Sequence, residues 1–167
     1  MRTLRTTIAA ALLAGLAASL TPAAAQDKAT KKKVPDDVAR GRYLVQITGC
    51  NDCHTPGYAP SNGKVDEKLW LTGDILGWRG PWGTTYPANL RLVARDLTED
   101  AWVKRARSEL RPPMPWFNLR DMSDRDVRAI YRYLKYMGSA GQPAPAYVPP
   151  DKEPKPPFVQ FPPPPPK

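Results

Sequence analysis

The two cysteines and the single histidine of this 167-residue chain all lie in one short segment, Cys50-Asn51-Asp52-Cys53-His54. A disulfide that joins distant parts of a fold does not use cysteines this close together, and it would leave the histidine unexplained. A structural zinc site takes four ligands, and the rest of the chain has no cysteine or histidine to complete one. A thioredoxin-like Cys-x-x-Cys follows a strand, whereas a helical pattern and Gly49 precede this pair. The segment therefore indicates a chemistry that uses both thiols and the imidazole together.

Covalent attachment of haem is the chemistry that fits this spacing. Two thiols separated by two residues can add to the two vinyl groups on one edge of the haem, and the adjacent imidazole then reaches the iron from one face. The segment predicts one covalent haem c, attached at Cys50 and Cys53, with His54 as an iron ligand. Attachment of this kind takes place outside the cytoplasm, so it requires an exported chain.

The second axial ligand of the iron must be a side chain other than histidine, because His54 is the only one. Once Met1 leaves with a signal peptide, the sulfur candidates are Met114, Met122 and Met137. Met137 continues the apolar face of a predicted helix and Met122 directly precedes a helix cap, so both are interpreted as structural. Met114 lies in the run Arg-Pro-Pro-Met-Pro-Trp, where prolines restrict the backbone on both sides of the thioether. Met114 is therefore the predicted ligand, and a methionine opposite histidine raises the reduction potential.

The first 25 residues have the three parts of a secretory signal peptide. Arg2 and Arg5 form a positive start, an apolar run of 13 residues covers positions 8–20, and three alanines at 23–25 form a cleavage site. The run is too short to span a bilayer, and an uncleaved anchor is the alternative interpretation. Cleavage predicts a periplasmic protein with no transmembrane helix in the mature chain. It also lowers the net charge from +9 to +7, because the signal peptide carries two arginines and no acidic residue.

The predicted folded domain covers residues 36–138. Three segments carry helix signals: 38–49, 98–110 and 123–137. The last is the clearest, because Ser123 and Asp126 form a start similar to a capping box and Gly138 follows at the position of a C-cap glycine. Residues 55–96 are rich in Gly, Pro and Trp without a sustained period, which predicts loops that wrap a large apolar cofactor. The predicted fold class is therefore all-α, with three main helices and long loops.

Two segments of unusual composition flank this domain: a flexible basic lead-in at 26–35 and a proline-rich tail at 139–167. Residues 143–167 contain 12 of the chain's 21 prolines. Such a segment cannot build a core, and we expect it to be disordered and extended, with polyproline II character. Docking of the tail to a partner is the alternative. In either case, removal of residues 143–167 is expected to leave the haem spectrum unchanged.

Beyond the haem motif, parts of the chain resemble class I c-type cytochromes. These parts are Gly41-Arg42-Tyr43, Met114-Pro115 and Ile130-Tyr131-Arg132-Tyr133-Leu134. The resemblance implies the small cytochrome c fold with a single haem. In that family the first and last helices cross, with a glycine of the first against an aromatic residue of the last. Gly41 and Tyr133 are implied in these roles.

A closer resemblance is to the haem domains in the cytochrome subunits of membrane-bound alcohol and gluconate dehydrogenases. The similar stretches are Pro81-Trp82-Gly83-Thr84-Thr85-Tyr86 followed by Asn89-Leu90, and Met122-Ser123-Asp124-Arg125-Asp126 after Met114-Pro115. The resemblance covers about residues 38–137. Those subunits carry several haem motifs whereas this chain has one, and the turn that usually follows the asparagine is missing after Leu90.

Polar side chains in this stretch are candidates for binding the haem propionates. Thr84, Tyr86 and Asn89 can donate hydrogen bonds to these carboxylates, and Arg79 can pair with one of them. The alternative interpretation is the ordinary polarity of a surface loop. Four tryptophans are expected to pack in the haem pocket or the core and not to relay electrons: Trp78, Trp82, Trp102 and Trp116.

Together these features predict an electron-transfer protein and not an enzyme. The iron of a His/Met-ligated haem cycles between Fe(III) and Fe(II), and no substrate is transformed. The positive net charge favours redox partner proteins with acidic docking surfaces, while the spread of the charge and the export signal argue against nucleic acid. Two alternatives stay open. One is an electron-transfer subunit of a periplasmic dehydrogenase or oxidase complex, and the other is a haem sensor or enzyme with an open sixth position.

Overall fold

The computed structural model describes residues 34–161. Its α-helices are α1 (Asp36–Ile47), α2 (Cys50–His54), α3 (Leu90–Asp96), α4 (Glu99–Ala106), α5 (Trp116–Asp121) and α6 (Asp124–Met137). A 3-10 turn covers Glu67–Leu69, and the strands are β1 (Gly77–Gly80), β2 (Gly83–Thr85) and β3 (Phe158–Gln160). The predicted signal peptide at 1–25, most of the lead-in at 26–35 and the last six positions lie outside the described residues.

Helices α1 and α6 cross at close range in the centre of the core. The buried residues of α1 recur at three- and four-residue spacing: Val38, Gly41, Leu44 and Val45. At the crossing, a β-carbon on Gly41 would lie 2.0 Å from the carbonyl oxygen of Ala129 and 2.8 Å from the β-carbon of Tyr133. Any side chain at position 41 would push the helices apart. Gly41 and Tyr133 therefore meet as predicted.

One carboxylate ties this crossing to the 3-10 turn. The Tyr133 hydroxyl donates a hydrogen bond to Glu67 Oε1 at 2.9 Å, and Arg42 Nε donates to the same oxygen at 2.9 Å. The hydrogen bond from the Arg42 guanidinium lowers the pKa of Glu67, and burial raises the pKa of the Tyr133 hydroxyl. At neutral pH Glu67 is therefore ionised and Tyr133 is a donor.

The local signals that predicted the last helix are confirmed. The side chain of Ser123 accepts a hydrogen bond from the backbone of Asp126 at 3.1 Å, and Gly138 follows the helix with φ +70°. Helix α4 begins where expected, with Thr98 as its cap, but it ends at Ala106, before the predicted end at residue 110. Helix α1 corresponds to the predicted helix at 38–49 and begins two residues earlier.

The predicted all-α class is wrong, because the structure contains a small mixed sheet with strand order β2-β1-β3. Strand β1 pairs antiparallel with β2, with Trp78 opposite Thr85. Strand β3 pairs parallel with β1, with Gly77 opposite Phe158. Both β1 and β2 lie within residues 55–96, which were predicted as loops. These strands have three or four residues each, too few for the alternation by which a strand is recognised in a sequence.

Residues 139–161 also differ from the predicted disordered tail, because they are folded against the domain. Asn89 Nδ2 donates hydrogen bonds to the carbonyl oxygens of Ala140 at 2.8 Å and Gln142 at 3.1 Å. The backbones of Val148 and Thr84 exchange two hydrogen bonds, at 2.7 and 3.0 Å. Proline removes backbone donors but keeps carbonyl acceptors, so donors from the rest of the domain can hold a proline-rich segment in place.

The end of α6 is held by a buried arginine. Arg91 donates to the carbonyl oxygens of Gly138 at 2.5 Å, Met137 at 2.5 Å and Lys68 at 2.7 Å. A cation at the C-terminus of a helix satisfies carbonyls that have no partner within the helix and complements the helix dipole. Arg91 thus joins α3, α6 and the 3-10 turn.

No helix within residues 34–161 combines the length and the apolar character needed to cross a bilayer, as predicted.

Candidate functional site

A mainly apolar cavity of about 290 Å³ lies inside the folded domain. Several elements contribute to its wall, including Trp78 of β1, Leu90 of α3, Trp102 of α4, Leu119 of α5 and Ile130 of α6. The four residues predicted to attach and ligate haem all line it as well: Cys50, Cys53, His54 and Met114. The structure therefore brings these four residues together on one cavity, although Met114 is 60 positions from His54 in the sequence.

Both cysteines face this cavity because they are three positions apart on the single turn of α2. Neither forms a disulfide. Burial raises the pKa of both thiols above the ordinary value for cysteine. At neutral pH they are therefore protonated, which is unlike the low-pKa thiolate of a thioredoxin-type site.

His54 is buried and has a fixed orientation. Its Nδ1 donates a hydrogen bond to the carbonyl oxygen of Ala88 at 2.7 Å. Burial lowers the pKa of the imidazole, so the ring is neutral and carries its proton on Nδ1. Nε2 is then the nitrogen with a free lone pair. This is the arrangement of a metal-ligating histidine, whose other nitrogen donates to a carbonyl that sets the tautomer and the ring orientation.

The backbone around Gly73 places the Ala88 carbonyl near the imidazole. Gly73 donates to the carbonyl oxygen of His54 at 2.8 Å, and its φ of +80° is one that glycine adopts without strain. A β-carbon here would lie 2.7 Å from the backbone nitrogen of Asn89 and 2.9 Å from the carbonyl oxygen of Pro87. Only glycine lets residues 87–89 approach the end of α2 this closely.

Met114 is half-buried in a loop between α4 and α5. Its neighbours Arg111, Pro113 and Pro115 also line the cavity. The loop is attached to the sheet, because Thr85 Oγ1 donates to the carbonyl oxygen of Pro112 at 2.7 Å. Met122 and Met137 are partly buried against the hydrophobic core and do not line the cavity. Their positions agree with the structural roles predicted for them.

The predicted propionate-binding residues lie in different places. Tyr86 lines the cavity. Thr84 is completely buried on β2 beside it, and its Oγ1 has no hydrogen-bond partner among the described residues. Asn89 caps α3 with its oxygen and holds the C-terminal segment with its nitrogen. Arg79 donates to the carbonyl oxygen of Lys152 at 3.2 Å and pairs with Glu153 at 3.0 Å.

Neither Asn89 nor Arg79 belongs to the cavity wall, and both already bind other groups, so a role for them toward the propionates stays a prediction. Their polar groups bind the C-terminal segment, which the sequence did not place next to them.

The expectation for the tryptophans holds for Trp78 and Trp102, which line the cavity. The indole nitrogen of Trp78 is buried without a hydrogen-bond partner in the described part of the chain. An unpaired N–H donor at a cavity wall fits a ligand that carries an acceptor.

The wall residues that were not anticipated from the sequence include Arg105, Arg111, Pro145 and Tyr147. Arg105 and Arg111 make no ion pair within residues 34–161, whereas most other arginines there pair with a carboxylate. Their closeness to Met114 in the sequence was an available signal. Pro145 and Tyr147 lie in the segment predicted to be disordered, so no local signal pointed to them.

The cavity does not have the donor set of a metal site built by the protein alone. Among residues 34–161, no three side chains of His, Cys, Asp or Glu converge. No protein-family model, no curated protein and no solved structure matches this chain. An assignment of function therefore rests on the residues of the cavity.

Proposed function

We propose that this chain is an exported, single-haem c-type cytochrome that transfers electrons one at a time. The observation that carries the proposal is the orientation of His54. Its Nδ1 donates to Ala88, which leaves Nε2 as the ligating nitrogen on a cavity shared with both thiols and the Met114 thioether. These groups form one constellation on an apolar wall, as a covalent His/Met-ligated haem requires.

Each residue of this constellation has one role. Cys50 and Cys53 would hold the haem through two thioether bonds, which would prevent its loss. His54 would ligate the iron through Nε2, and its bond to Ala88 fixes the tautomer and increases the basicity of Nε2. Met114 would ligate the iron through its thioether. When bound, the haem supplies the one-electron chemistry, with its iron alternating between Fe(III) and Fe(II).

The polar groups of the same wall suit the propionates of the cofactor. Trp78 Nε1 is a buried donor without a partner among the described residues, and Tyr86 lies on the same wall. Arg105 lies on the same wall and makes no ion pair within residues 34–161. Hydrogen bonds and cations of this kind stabilise carboxylates that are removed from water.

The proposed location is the periplasm, and the proposed role is that of a carrier between redox proteins. With two axial ligands from the protein, the iron has no position for a substrate, so we do not propose an enzyme. The same chemistry would serve in a subunit of a dehydrogenase or oxidase complex. A positive mature chain suits partners with acidic docking surfaces.

The visible spectrum of the mature protein tests this proposal. The chain is expressed with haem-attachment enzymes, and spectra are recorded in the oxidised and reduced states and after denaturation in alkaline pyridine. We expect the pyridine spectrum of covalent haem c and a low-spin native spectrum with the weak methionine-to-iron charge-transfer band. Met114→Ala should lose this band, whereas Met122→Ala should keep it, because Met122 does not line the cavity.

Other results would change the assignment. If no covalent haem forms in the wild type while a Cys50→Ala variant behaves identically, the cytochrome assignment is wrong. If haem is bound but the wild-type spectrum is high-spin and shifts with cyanide or carbon monoxide, the sixth position is open. A sensor or haem enzyme would then replace the electron carrier.

A further inference from the structure

The C-terminal segment and the loop that carries Met114 meet at the cavity. Pro145 and Tyr147 of the segment line the same wall as Arg111, Pro113 and Met114. The guanidinium carbon of Arg111 lies 4.2 Å from the centre of the Tyr147 ring. This distance is well within the range of a cation–π contact. Arg111 makes no ion pair within residues 34–161, and the Tyr147 ring is the side chain that it contacts there.

Tyr147 is in turn fixed to the sheet. Its hydroxyl donates to the carbonyl oxygen of Trp82 at 2.7 Å, and the next residue, Val148, pairs with Thr84. Gly83 makes room for this arrangement. A β-carbon on Gly83 would lie 2.4 Å from the carbonyl oxygen of Val148 and 2.8 Å from the Tyr147 hydroxyl. The Tyr147 side chain is therefore fixed by its hydroxyl and by the backbone pairing of Val148, independently of its contact with Arg111.

Within residues 34–161, the Met114 loop is also attached to the sheet, by the 2.7 Å hydrogen bond from Thr85 to the carbonyl oxygen of Pro112. Thr85 lies on β2 next to Thr84, which pairs with Val148, while Trp82, which accepts from Tyr147, lies in the turn between β1 and β2. The loop is thus clamped twice, once at Pro112 by β2 and once at Arg111 by the C-terminal segment. Both attachments precede Met114 by two or three positions.

We infer that Tyr147, acting through Arg111, is a positioning residue that holds the Met114 thioether at the cavity. This inference rests on the proposed function, since it assumes that Met114 is the axial ligand. A loop with one attachment would leave the cavity more often. An external ligand binds only when the sixth position is vacant, so its apparent affinity increases in proportion to the fraction of open molecules.

The test uses the full mature chain loaded with haem. Imidazole is titrated into the ferric forms of the wild type, Tyr147→Ala, Arg111→Ala and the double variant. We expect either single variant to bind imidazole about two- to fivefold more tightly, the order of effect for loss of one cation–π contact at an exposed site. The double variant should bind like the single ones, because both changes remove the same contact.

Two further variants separate positioning from a general loss of stability. Tyr147→Phe keeps the ring over Arg111 and removes only the hydroxyl, so it should bind imidazole nearly as the wild type does. Tyr136→Ala removes another exposed tyrosine that does not line the cavity, and it should have no effect. If Tyr147→Ala does not load haem, Arg111→Ala still tests the contact, because it leaves the pairing of Val148 with Thr84 intact.

Several results would overturn the inference. Imidazole affinity that stays at the wild-type value in Arg111→Ala would exclude the clamp, as would effects that are additive in the double variant. A loss in Tyr147→Phe equal to that in Tyr147→Ala would assign the effect to the hydroxyl and not to the ring. Failure of the proposed function would be seen separately. The wild type would then contain no covalent haem, or Met114→Ala would keep the charge-transfer band of the wild type. Either result would overturn the inference as well.

Discussion

Glu67 is a residue whose charge state affects the main helix crossing. It accepts hydrogen bonds from Arg42 of α1 and Tyr133 of α6 on one oxygen. The hydrogen bond from Arg42 lowers the pKa of Glu67 in the folded protein, while in the unfolded chain the value returns to about 4.3. The unfolded chain therefore takes up a proton at a higher pH than the folded protein does. The stability from the ionised carboxylate is present above the unfolded pKa and is lost as the pH falls through the folded pKa.

We predict that Glu67→Gln reduces the acid dependence of stability. The variant should unfold more easily than the wild type at pH 7, and the difference should narrow as the pH falls from about 6 to about 3.5. Since the Glu67 side chain is 36% exposed, solvent screens the pair, and the difference should stay within about 1 kcal/mol. Urea unfolding at each pH gives the free energies. Glu109→Gln is the control, because Glu109 is exposed and makes no ion pair within residues 34–161. Parallel curves for wild type and Glu67→Gln would contradict the prediction.

At the residue scale, the sequence predicted those site residues whose chemistry is unusual by itself. Two cysteines and a histidine in one turn, and a methionine between prolines, stand out without knowledge of the fold. The structure places all four on one cavity. Arginine, asparagine and threonine are common, so their partners decide their roles. Arg79 and Asn89 bind the C-terminal segment, which is more than 50 positions away from either.

At the scale of elements, the α1–α6 crossing depends on the absence of a side chain at position 41. We predict that Gly41→Ala destabilises the protein by about 1–3 kcal/mol or more, because the added carbon would overlap the Ala129 carbonyl. Helix propensity alone predicts the opposite sign, since alanine is favoured over glycine by about 1 kcal/mol in a helix interior.

Thermal or urea unfolding can separate the two effects. Ala39→Gly, at an exposed position of the same helix, measures the propensity difference without a change in packing. We expect this control to cost about 1 kcal/mol. A Gly41→Ala variant that is more stable than the wild type would mean that the helices do not cross closely at this point.

Helices were predicted better than strands for a physical reason. Helix ends carry local signals, such as the Ser123 cap and Gly138 of α6, and both operate as expected. The strands have no such signals. β1 reads Gly-Trp-Arg-Gly, and it becomes a strand only because β2 and the distant β3 pair with it. The prediction for the proline-rich segment was wrong because its overall composition hides the few residues that make specific contacts with the domain, such as Tyr147 and Val148.

At the scale of the whole molecule, two arginines on the cavity wall carry charges without an ion-pair partner among residues 34–161. Most described arginines pair with carboxylates, but Arg105 and Arg111 on the cavity wall do not. Since salt screens exposed charges over about 10 Å at 0.1 M, long-range attraction of anions depends on ionic strength. The field near the cavity should therefore affect encounters with charged redox reagents.

For the proposed haem-loaded form, we predict that reduction of ferricyanide by the ferrous protein slows as salt is added, because a positive protein attracts this anion. Arg105→Gln should slow the reaction several-fold at low salt, and Arg95→Gln should slow it less. Both variants lose one charge, but Arg95 is exposed and paired with Asp96, away from the cavity. Stopped-flow absorbance at a series of salt concentrations measures the rates. Equal slowing by the two variants would show that only net charge matters.

The position of β3 has a consequence for self-association. β1 is the central strand, with β2 on one side and residues 158–160 on the other. Gly77 donates to the carbonyl oxygen of Pro157 at 3.0 Å, and the carbonyl oxygen of Arg79 accepts from Phe161 at 2.6 Å. Without β3, these groups of β1 would form an open edge, which is a template for pairing with a strand of a second molecule. Residues 158–160 thus cover this edge of β1, and β3 takes its place as the outer strand.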